Sequence, residues 1–282
     1  MGIVEDALSG MSRRAEAAEG DYYEEGLLHC GVCKRKKETK LESLFNNKGT
    51  VIVPCICDCR KKELEEEEKR RQHEEEMRRI ESLRASSLIE SKFREANLKN
   101  FGETADNAKA LVLAKKYIDN FQEMYEKNQG ILFWGVVGTG KSYTAACIAN
   151  ELLNKRVAVV MTSFVKILQD IQGGQYDEKV YIDKLNAARL LIIDDLGTER
   201  NTDYALEKVY NVIDSRYRAG KPLILTTNMT LREMQETTDI RYKRIYDRIF
   251  EMCFPFHFVG QSWREKEAAR RFDEMRKLME GE

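Results

Sequence analysis

One turn of the chain constrains its fold more than any other feature. An apolar run at residues 131–134 leads directly into Gly-Val-Val-Gly-Thr-Gly-Lys-Ser at residues 135–142. This spacing fits G-x-x-x-x-G-K-[ST], in which glycines let the backbone wrap a phosphate so that its N–H groups point inward. The N-terminus of a following helix adds positive potential. The sequence therefore predicts a buried strand, a phosphate-binding loop and a helix, in that order.

The loop supplies a defined set of candidate nucleotide contacts. Lys141 is placed to neutralise the β and γ phosphates of a nucleotide, and Ser142 to hold Mg²⁺. The remaining predicted contacts in the loop are Gly135, Gly138, Thr139, Gly140 and Tyr143. The apolar strand before the loop and the helix after it are the context that separates this motif from a chance match.

Polar residues also end two later apolar strands. The most apolar strand, at residues 190–193, ends in Asp194 and Asp195. Parallel strands place their carboxyl ends at one edge of a sheet, beside the phosphate loop. We predict that Asp194 is the Mg²⁺-associated acid and that Asp195 polarises the attacking water. A further strand at residues 223–225 is followed by Thr-Thr-Asn, and we predict that Asn228 orients that water. The alternative is that the two acids only cap a strand.

Beyond residue 95, predicted strands and helices alternate. The strands are at residues 131–134, 157–161, 190–193 and 223–225. One helix is capped by Thr104 and carries Leu111, Ala114, Ile118, Phe121 and Tyr125 at helical spacing. Further helices follow at about residues 141–154, 164–172 and 202–217, the last capped by Asn201 or Thr202. This alternation predicts an α/β fold with a parallel sheet flanked by helices, because strands that are apolar throughout are buried on both faces.

Five of the seven cysteines fall within 30 residues near the N-terminus. They form Cys30-x2-Cys33 and, 21 residues later, Cys55-x-Cys57-x-Cys59. Between the two motifs, residues 46–49 read as a turn and residues 50–53 as a strand, which is the layout of a zinc ribbon.

Zinc takes four soft ligands in a tetrahedron, and clustered cysteines in a cytosolic protein indicate metal ligands before disulfides. We favour as zinc ligands Cys30, Cys33, Cys57 and Cys59. Cys55 is then a substitute, and His29 is a weaker candidate. The alternative is a set of free or redox-active thiols.

Residues 60–79 have a composition of their own. Of these 20 residues, 16 are charged, eight of each sign. No apolar stripe accompanies them, so we predict a solvated helical spacer and not a coiled coil. We therefore expect an N-terminal zinc-binding domain at residues 1–60, a charged helical linker at 61–95 and a nucleotide-binding domain at 96–282.

Charge and hydropathy limit the location and partners of the chain. The formal net charge is −1, so no overall basic field is available to hold nucleic acid. No apolar run approaches the roughly 18 residues of a membrane span, and the N-terminus has no apolar signal-peptide core. We expect a soluble, cytoplasmic protein.

The order of GVVGTGKS, LLIIDDLGTER, TTNM and DRIFEMC…GQSWR resembles the AAA+ ATPases of the DnaC/DnaI helicase-loader and IstB group over residues 97–264. The cysteine-rich front and charged helix are similar to loaders of low-GC Gram-positive bacteria and their phages. The resemblance implies an AAA+ P-loop NTPase fold, with Walker A at residues 138–142, Walker B at Asp194 and Asp195, and sensor 1 at Asn228.

The same resemblance assigns further residues. It places residues 97–101 near the adenine and makes Arg264 sensor 2, acting in its own subunit. It makes Arg248 the arginine finger that reaches a neighbour's γ-phosphate, although Arg241, Lys243 and Arg244 are close by and a solvated basic face is the alternative. Many AAA+ proteins have Glu at the position of Asp195, and the shorter side chain implies slow hydrolysis.

An insertion at residues 162–188 faces the ring interior in the loaders and is a candidate contact for single-stranded DNA. The basic residues in this insertion are Lys166, Lys179 and Lys184, and Arg189 follows directly after it. The rings that would stack bases are Phe164, Tyr176 and Tyr181, which are as easily core residues.

By resemblance, the chain is an ATP-dependent loader of the replicative DNA helicase. Its zinc domain would grip the helicase, and its ATPase domain would assemble into a ring or spiral on single-stranded DNA. The first alternative is a transposition helper ATPase of IstB type. The second is an adaptor that binds ATP without hydrolysing it.

Overall fold

The computed structural model describes residues 14–42, 50–100, 107–174, 177–198 and 202–280. The chain divides into two compact units, Met1–Arg78 and Arg79–Glu282. The predicted domain borders near residues 60 and 95 stay a prediction. Several residues of the sequence analysis lie outside the described part of the chain, namely the turn at 46–49, Phe101, Thr104, Tyr176 and Asn201.

Two antiparallel strand pairs form the first unit. Strand β1 (Tyr22–Glu24) pairs with β2 (Leu27–His29), and β3 (Glu38–Glu42) pairs with β4 (Thr50–Pro54). The buried carboxylate of Glu38 accepts hydrogen bonds from the backbone N–H of Leu28 at 3.0 Å and of Ala15 at 3.1 Å. Strand β4 confirms the strand predicted at residues 50–53.

The charged run forms helix α1 (Asp58–Ser86), 29 residues long with none of them buried. Two of its ion pairs join residues three apart, Arg60 with Glu63 at 3.1 Å and Arg71 with Glu68 at 2.6 Å. Exposed pairs of this kind contribute roughly 0–1 kcal/mol each. The solvated helix predicted for the charged run 60–79 is confirmed; it extends past that run at both ends and stops at Ser86, before the predicted border at residue 95.

A parallel sheet organises the second unit. In the described residues its strands are β5 (Gly130–Gly135), β6 (Val159–Ser163), β7 (Leu190–Leu196), β8 (Leu223–Thr227) and β9 (Cys253–Phe258). They lie in the order β6-β7-β8-β5-β9, and all four neighbouring pairs are parallel. Strand β8 therefore separates β5, which leads into the phosphate loop, from β7, which carries the two acids. The predicted parallel sheet is confirmed.

Helices cover both faces of this sheet. Their bounds are α2 (Ala108–Asp119), α3 (Phe121–Glu126), α4 (Lys141–Asn154), α5 (Phe164–Gln172), α6 (Glu178–Ala187), α7 (Asp203–Arg218), α8 (Leu231–Gln235), α9 (Ile240–Met252) and α10 (Trp263–Glu280). Short 3₁₀ turns lie at Ser91–Phe93 and Leu98–Asn100. Throughout the described ranges, none of the helices combines the length and apolarity that crossing a membrane requires.

The side chains of each strand alternate between two cores. Ile131 and Phe133 of β5 pack into one core with Ile192 of β7, and Leu132 packs into the other with Leu191. Because both faces of the sheet are covered, its strands read as continuous apolar runs.

Several elements differ from the predictions; for example, the strand predicted at residues 157–161 is Val159–Ser163. Strand β9, Cys-Phe-Pro-Phe-His-Phe, was not predicted because Pro255 argues against a strand; a proline is tolerated here since β9 lies at the edge of the sheet. The single helix predicted after residue 104 is two helices, α2 and α3, separated at Asn120.

A buried arginine ties together the edge of the sheet opposite the phosphate loop. Arg216 is fully buried, and its guanidinium donates to the backbone carbonyls of Ala188 at 3.0 Å, Arg189 at 3.0 Å and Pro222 at 2.8 Å. Burial lowers the pKa of Arg216 to about 10. These three carbonyls come just before the first residues of β7 and β8, so the side chain fixes where both strands begin.

Candidate nucleotide site and cysteine cluster

The phosphate loop connects the end of β5 to the start of α4. Gly138 and Gly140 have left-handed φ values of +82° and +101°, which glycine adopts without strain. A Cβ at Gly138 would also lie 2.2 Å from the Oγ of Ser262. The backbone N–H of Trp263 donates to the Gly138 carbonyl at 2.9 Å. The segment before α10 is therefore packed directly against the phosphate loop.

Lys141 begins helix α4 and is almost fully buried. Its Nζ donates to the carbonyls of Gly135 at 2.9 Å and Val136 at 2.8 Å, across the base of the loop. Burial lowers the pKa of Lys141, although the charges of Asp195 and Asp194 favour its protonated form. The loop thus places a partly desolvated cation where the predicted phosphates would bind.

Asp194 and Asp195 lie near the carboxyl end of β7, as predicted, and Thr226 of β8 connects them. The Thr226 hydroxyl donates to Asp194 Oδ1 at 2.6 Å and accepts the backbone N–H of Asp195 at 2.8 Å. The pairing of β7 with β8 shifts register here, and Asp195 has a φ of +56°. This irregularity turns successive acids toward different surroundings.

A cavity of about 450 Å³ lies at this edge of the sheet. It gathers the predicted residues Gly138, Thr139, Gly140, Lys141, Ser142, Tyr143, Asp195, Asn228 and Arg264. Its other lining residues are Phe93, Asn100, Asn107, Val137 and Trp263. Of these, sequence reasoning missed Phe93 and Asn107, because only the folded chain brings their segments to the loop.

Asp195 lines the cavity, and its pKa depends on the charged residues around it. Burial raises the pKa of Asp195, and the neighbouring negative charge of Asp194 raises it further. Lys141 and Arg264 act in the opposite direction. Asp194 is not among the lining residues, and its carboxylate accepts a hydrogen bond from the Thr226 hydroxyl.

The segment expected near the adenine also reaches this cavity. Asn100 lines it, and the Asn150 side chain of α4 holds the preceding turn through bonds to the carbonyls of Phe93 and Ala96, both at 2.8 Å. The rings of Phe93 and Trp263 give this cavity apolar walls beside its polar loop.

Arg248 is not part of this cavity. It lies on α9, where its Nη2 is 2.6 Å from Asp214 Oδ1 of α7. Its guanidinium also lies 4.8 Å from the ring centre of Tyr210. The chain therefore does not bring its predicted arginine finger to its own nucleotide site.

The candidate DNA contacts at residues 162–188 divide into two groups. Phe164 and Tyr181 are buried in the core, so the core interpretation holds for these two rings. Lys179 and Lys184 are exposed, and Lys166 is partly exposed. Arg189 packs against the Tyr125 ring, with 4.3 Å from its guanidinium to the ring centre.

Cysteines of both motifs come together in the first unit. The sulfurs of Cys30, Cys33 and Cys57 all lie within 4.8 Å of one another. Cys59 lies beside this group, and its interaction with Cys33 raises the pKa of the Cys59 thiol to about 11. Three of the four sulfurs favoured from the sequence therefore converge, and Cys59 as the fourth ligand stays a prediction.

The surroundings of Cys33 favour its thiolate, whereas the pKa values of Cys57 and Cys59 are raised. Backbone N–H groups of Arg35 and Cys59 point at Cys33 and lower its pKa to about 6. The thiolate is the form that binds zinc. The two alternative ligands face elsewhere, because Cys55 Sγ donates to the Lys36 carbonyl at 3.2 Å and His29 Nδ1 bonds to the Leu27 carbonyl at 3.1 Å.

Asp21 holds the first cysteine motif in place. Its carboxylate accepts the backbone N–H of Gly31 at 2.9 Å and that of Ala18 at 2.8 Å, and it pairs with the Lys37 ammonium. These bonds lower the pKa of Asp21 to about 2, with Lys37 the largest cause.

Comparisons with known proteins agree with this geometry. A family model described as IstB-like ATP binding protein matches residues 61–271, more than half of the chain. The phage-like element PBSX protein XkdC of Bacillus subtilis (strain 168) is 28% identical over 186 residues, 62% of this chain and 68% of XkdC. The replicative helicase loader DnaC of Escherichia coli (strain K12) is 28% identical over 145 residues, 50% of this chain and 56% of DnaC.

A solved structure shares the fold. The crystal structure of DnaI has a TM-score of 0.53 and 22% sequence identity, covering 64% of this chain and 98% of that chain. Identity at this level shows the fold alone. The chain spans only part of these two curated relatives, 68% of XkdC and 56% of DnaC.

Proposed function

Because the chain belongs to the IstB-like ATP-binding protein family, we propose that it is an ATPase that loads the replicative DNA helicase onto single-stranded DNA during replication initiation. Relatives named as replicative helicase loaders support the helicase as its partner. The proposed protein works in the cytoplasm and hydrolyses ATP slowly, with stimulation by DNA and the helicase.

One observation carries the proposal: the phosphate loop, Asp195 and Asn228 line a single cavity. In ATP hydrolysis, a water oxygen bonds to the γ-phosphorus as the bond from that phosphorus to the bridging oxygen breaks, and ADP keeps the electron pair. Lys141 neutralises charge on the β and γ phosphates, while Asp195 and Asn228 orient the water. Arg264, on the cavity wall, binds phosphate oxygens of the same subunit's nucleotide.

Magnesium would accompany the nucleotide and neutralise phosphate charge. Ser142 and Asp194 are the residues that would hold it. A hydroxyl and a carboxylate are the hard oxygen donors that this ion prefers, and the Thr226 bond fixes the Asp194 carboxylate. The donor chemistry of both residues suits the ion, and of the two Ser142 lines the cavity while Asp194 does not.

Zinc would be held by Cys30, Cys33, Cys57 and Cys59 and would stabilise the first unit. We propose that this unit grips the helicase. Both cysteine motifs expose an aliphatic residue at their tip: Val32 is 82% exposed and Ile56 is 63% exposed.

Self-assembly would complete the ATPase site. In a ring or spiral, Arg248 of one subunit would reach the γ-phosphate bound to the next, supplying charge that the chain's own cavity lacks. The exposed lysines of residues 162–188 would then track the phosphates of single-stranded DNA, in keeping with the electrostatic character of such binding.

A direct test measures helicase loading by the full chain. The chain is mixed with the host's hexameric replicative helicase and a circular single-stranded DNA, and helicase bound to DNA is counted with and without ATP. We expect ATP-dependent loading by the wild type and none by Lys141→Ala. Failure of the wild type to bind the helicase or to raise the DNA-bound helicase would overturn the loader role.

The IstB-like family name also supports a second candidate function. A transposition helper of IstB type would use the same ATPase core on duplex DNA. ATPase activity that duplex DNA stimulates more than single-stranded DNA, without any effect of the helicase, would favour that function over loading.

A further inference from the structure

The contacts of Arg248 set it apart from the other arginines of α9. Its guanidinium is paired with Asp214 at 2.6 Å, and the Tyr210 and Tyr217 ring centres lie at 4.8 Å and 5.8 Å. The side chain is only 22% exposed, and that of Asp214 only 14%. Arg244, one turn earlier on the same helix, is exposed. Arg248 is thus held by a carboxylate and two aromatic rings of α7.

The partners of Arg248 are themselves fixed. The second oxygen of Asp214 pairs with Arg218 at 2.8 Å. The Tyr217 hydroxyl donates to Glu251 Oε1 at 2.8 Å, which joins α7 to α9 a second time. Since Asp214 shares its charge between two arginines, it does not fully neutralise Arg248.

Ordering the Arg248 side chain in the free subunit benefits a residue that must act on the nucleotide of a neighbouring subunit. A free arginine side chain loses about 2 kcal/mol of rotamer entropy when it becomes ordered. Contacts that order it in the free subunit remove that cost from the later step, and a fixed guanidinium keeps further N–H donors for phosphate oxygens.

We propose that Asp214 is a positioning residue that, with the rings of Tyr210 and Tyr217, holds Arg248 in the orientation in which it completes the ATP site of a second copy of this chain. The inference rests on the proposed function, because it requires hydrolysis at a site shared between subunits. It adds a residue that does not touch the nucleotide and that controls the group that does.

An inhibitory role of Asp214 is the alternative, and it can be tested equally well. If Asp214 were a latch that withholds Arg248 from the neighbour, its removal would raise hydrolysis. The partial exposure of Arg248 and the sharing of the Asp214 charge favour positioning, and the two roles predict opposite signs.

Subunit mixing separates these outcomes, with ATPase measured in the presence of single-stranded DNA and the helicase. Lys141→Ala subunits cannot use their own site, and Arg248→Ala subunits cannot complete a neighbour's site. Each alone should be inactive, and an equimolar mixture should recover activity, because Lys141→Ala subunits still supply Arg248. No recovery would reject the shared site, and with it the proposed mechanism as well as this inference.

Asp214→Asn is then placed on one partner at a time. On the Lys141→Ala subunit, which supplies Arg248, it should lower the recovered activity about 10-fold. On the Arg248→Ala subunit it should change nothing, since no finger remains to position. Asp247→Asn, an exposed neutralisation next to Arg248 on α9, is the matched control and should leave the recovered activity unchanged.

Every other result contradicts the proposal. Unchanged activity in both placements would show that Asp214 does not act through Arg248. A gain would identify a latch, and an equal loss in both placements would identify a structural role. Nucleotide affinity of the Asp214→Asn single variant should equal that of the wild type, because Asp214 lies outside the nucleotide cavity.

Discussion

The buried hydroxyl of Thr226 bonds to Asp194 Oδ1 at 2.6 Å, although the two residues lie on different strands and 32 positions apart. The same oxygen accepts the N–H of Asp195 at 2.8 Å. One side chain of β8 therefore fixes both acids of β7, which pairs with it irregularly at this point.

Thr226→Val should slow ATP hydrolysis by about 10-fold or more with little change in nucleotide affinity, because a hydrogen bond to a charged group is worth roughly 1.5–3 kcal/mol. Turnover and calorimetric affinity measured together test this. Thr226→Ser keeps the hydroxyl and should restore most of the rate. A wild-type rate in the valine variant would contradict this role.

Lys141→Ala should abolish measurable Mg²⁺-ATP binding and hydrolysis, because it removes the cation at the base of the phosphate loop. Isothermal calorimetry on the folded full chain gives the affinity. Lys155→Ala provides the control at the other end of α4, where the lysine pairs with Asp119 at 3.0 Å in an exposed position. Equal binding by both variants would refute the nucleotide site.

Cys59→Ser should reduce bound zinc well below one ion per chain, whereas Cys55→Ser should retain it. The reason is that the Cys59 thiol lies beside those of Cys33 and Cys30, whereas Cys55 Sγ donates to the Lys36 carbonyl. Elemental analysis of each purified variant gives the metal content. The reverse pattern would mean that Cys55 is the fourth ligand.

Val32→Asp and Ile56→Asp should each weaken helicase binding by about 10-fold, because a charge replaces an exposed apolar contact. Both variants should keep zinc and ATPase activity. Leu41→Asp alters another exposed aliphatic residue of the same unit, on β3, and should bind as the wild type does. Binding is measured with the helicase immobilised on a sensor surface. Equal effects of all three variants would argue against a contact through the cysteine motifs.

Arg216→Met should lower the free energy of unfolding by about 3 kcal/mol, because three strand-edge carbonyls lose a buried donor. Urea unfolding followed by circular dichroism measures the change. Arg218→Met removes an exposed arginine of the same helix and should cost less than about 1 kcal/mol. Similar losses for the two variants would show that the buried donor is not the cause.

Local patterns were enough to predict the phosphate loop, four strands of the sheet and the charged helix. The glycine spacing and apolar runs that define them are continuous in sequence. Strand β9 escaped prediction because tolerance of Pro255 depends on its place at the sheet edge. The roles of Thr226 and Asp214 depend on which residue of another element lies opposite them, and no local pattern reports that.

The hydrogen bond from the Trp263 N–H to the Gly138 carbonyl attaches the first residue of α10 to the phosphate loop. The helix has 18 residues, so at 1.5 Å per residue it is about 27 Å long. A tilt of about 10° at its first turn would therefore swing Glu280 by about 5 Å, carrying the exposed side chains of Phe272 and Leu278 with it. A small rotation of the helix about the phosphate loop would therefore displace its C-terminal end far more than the loop itself.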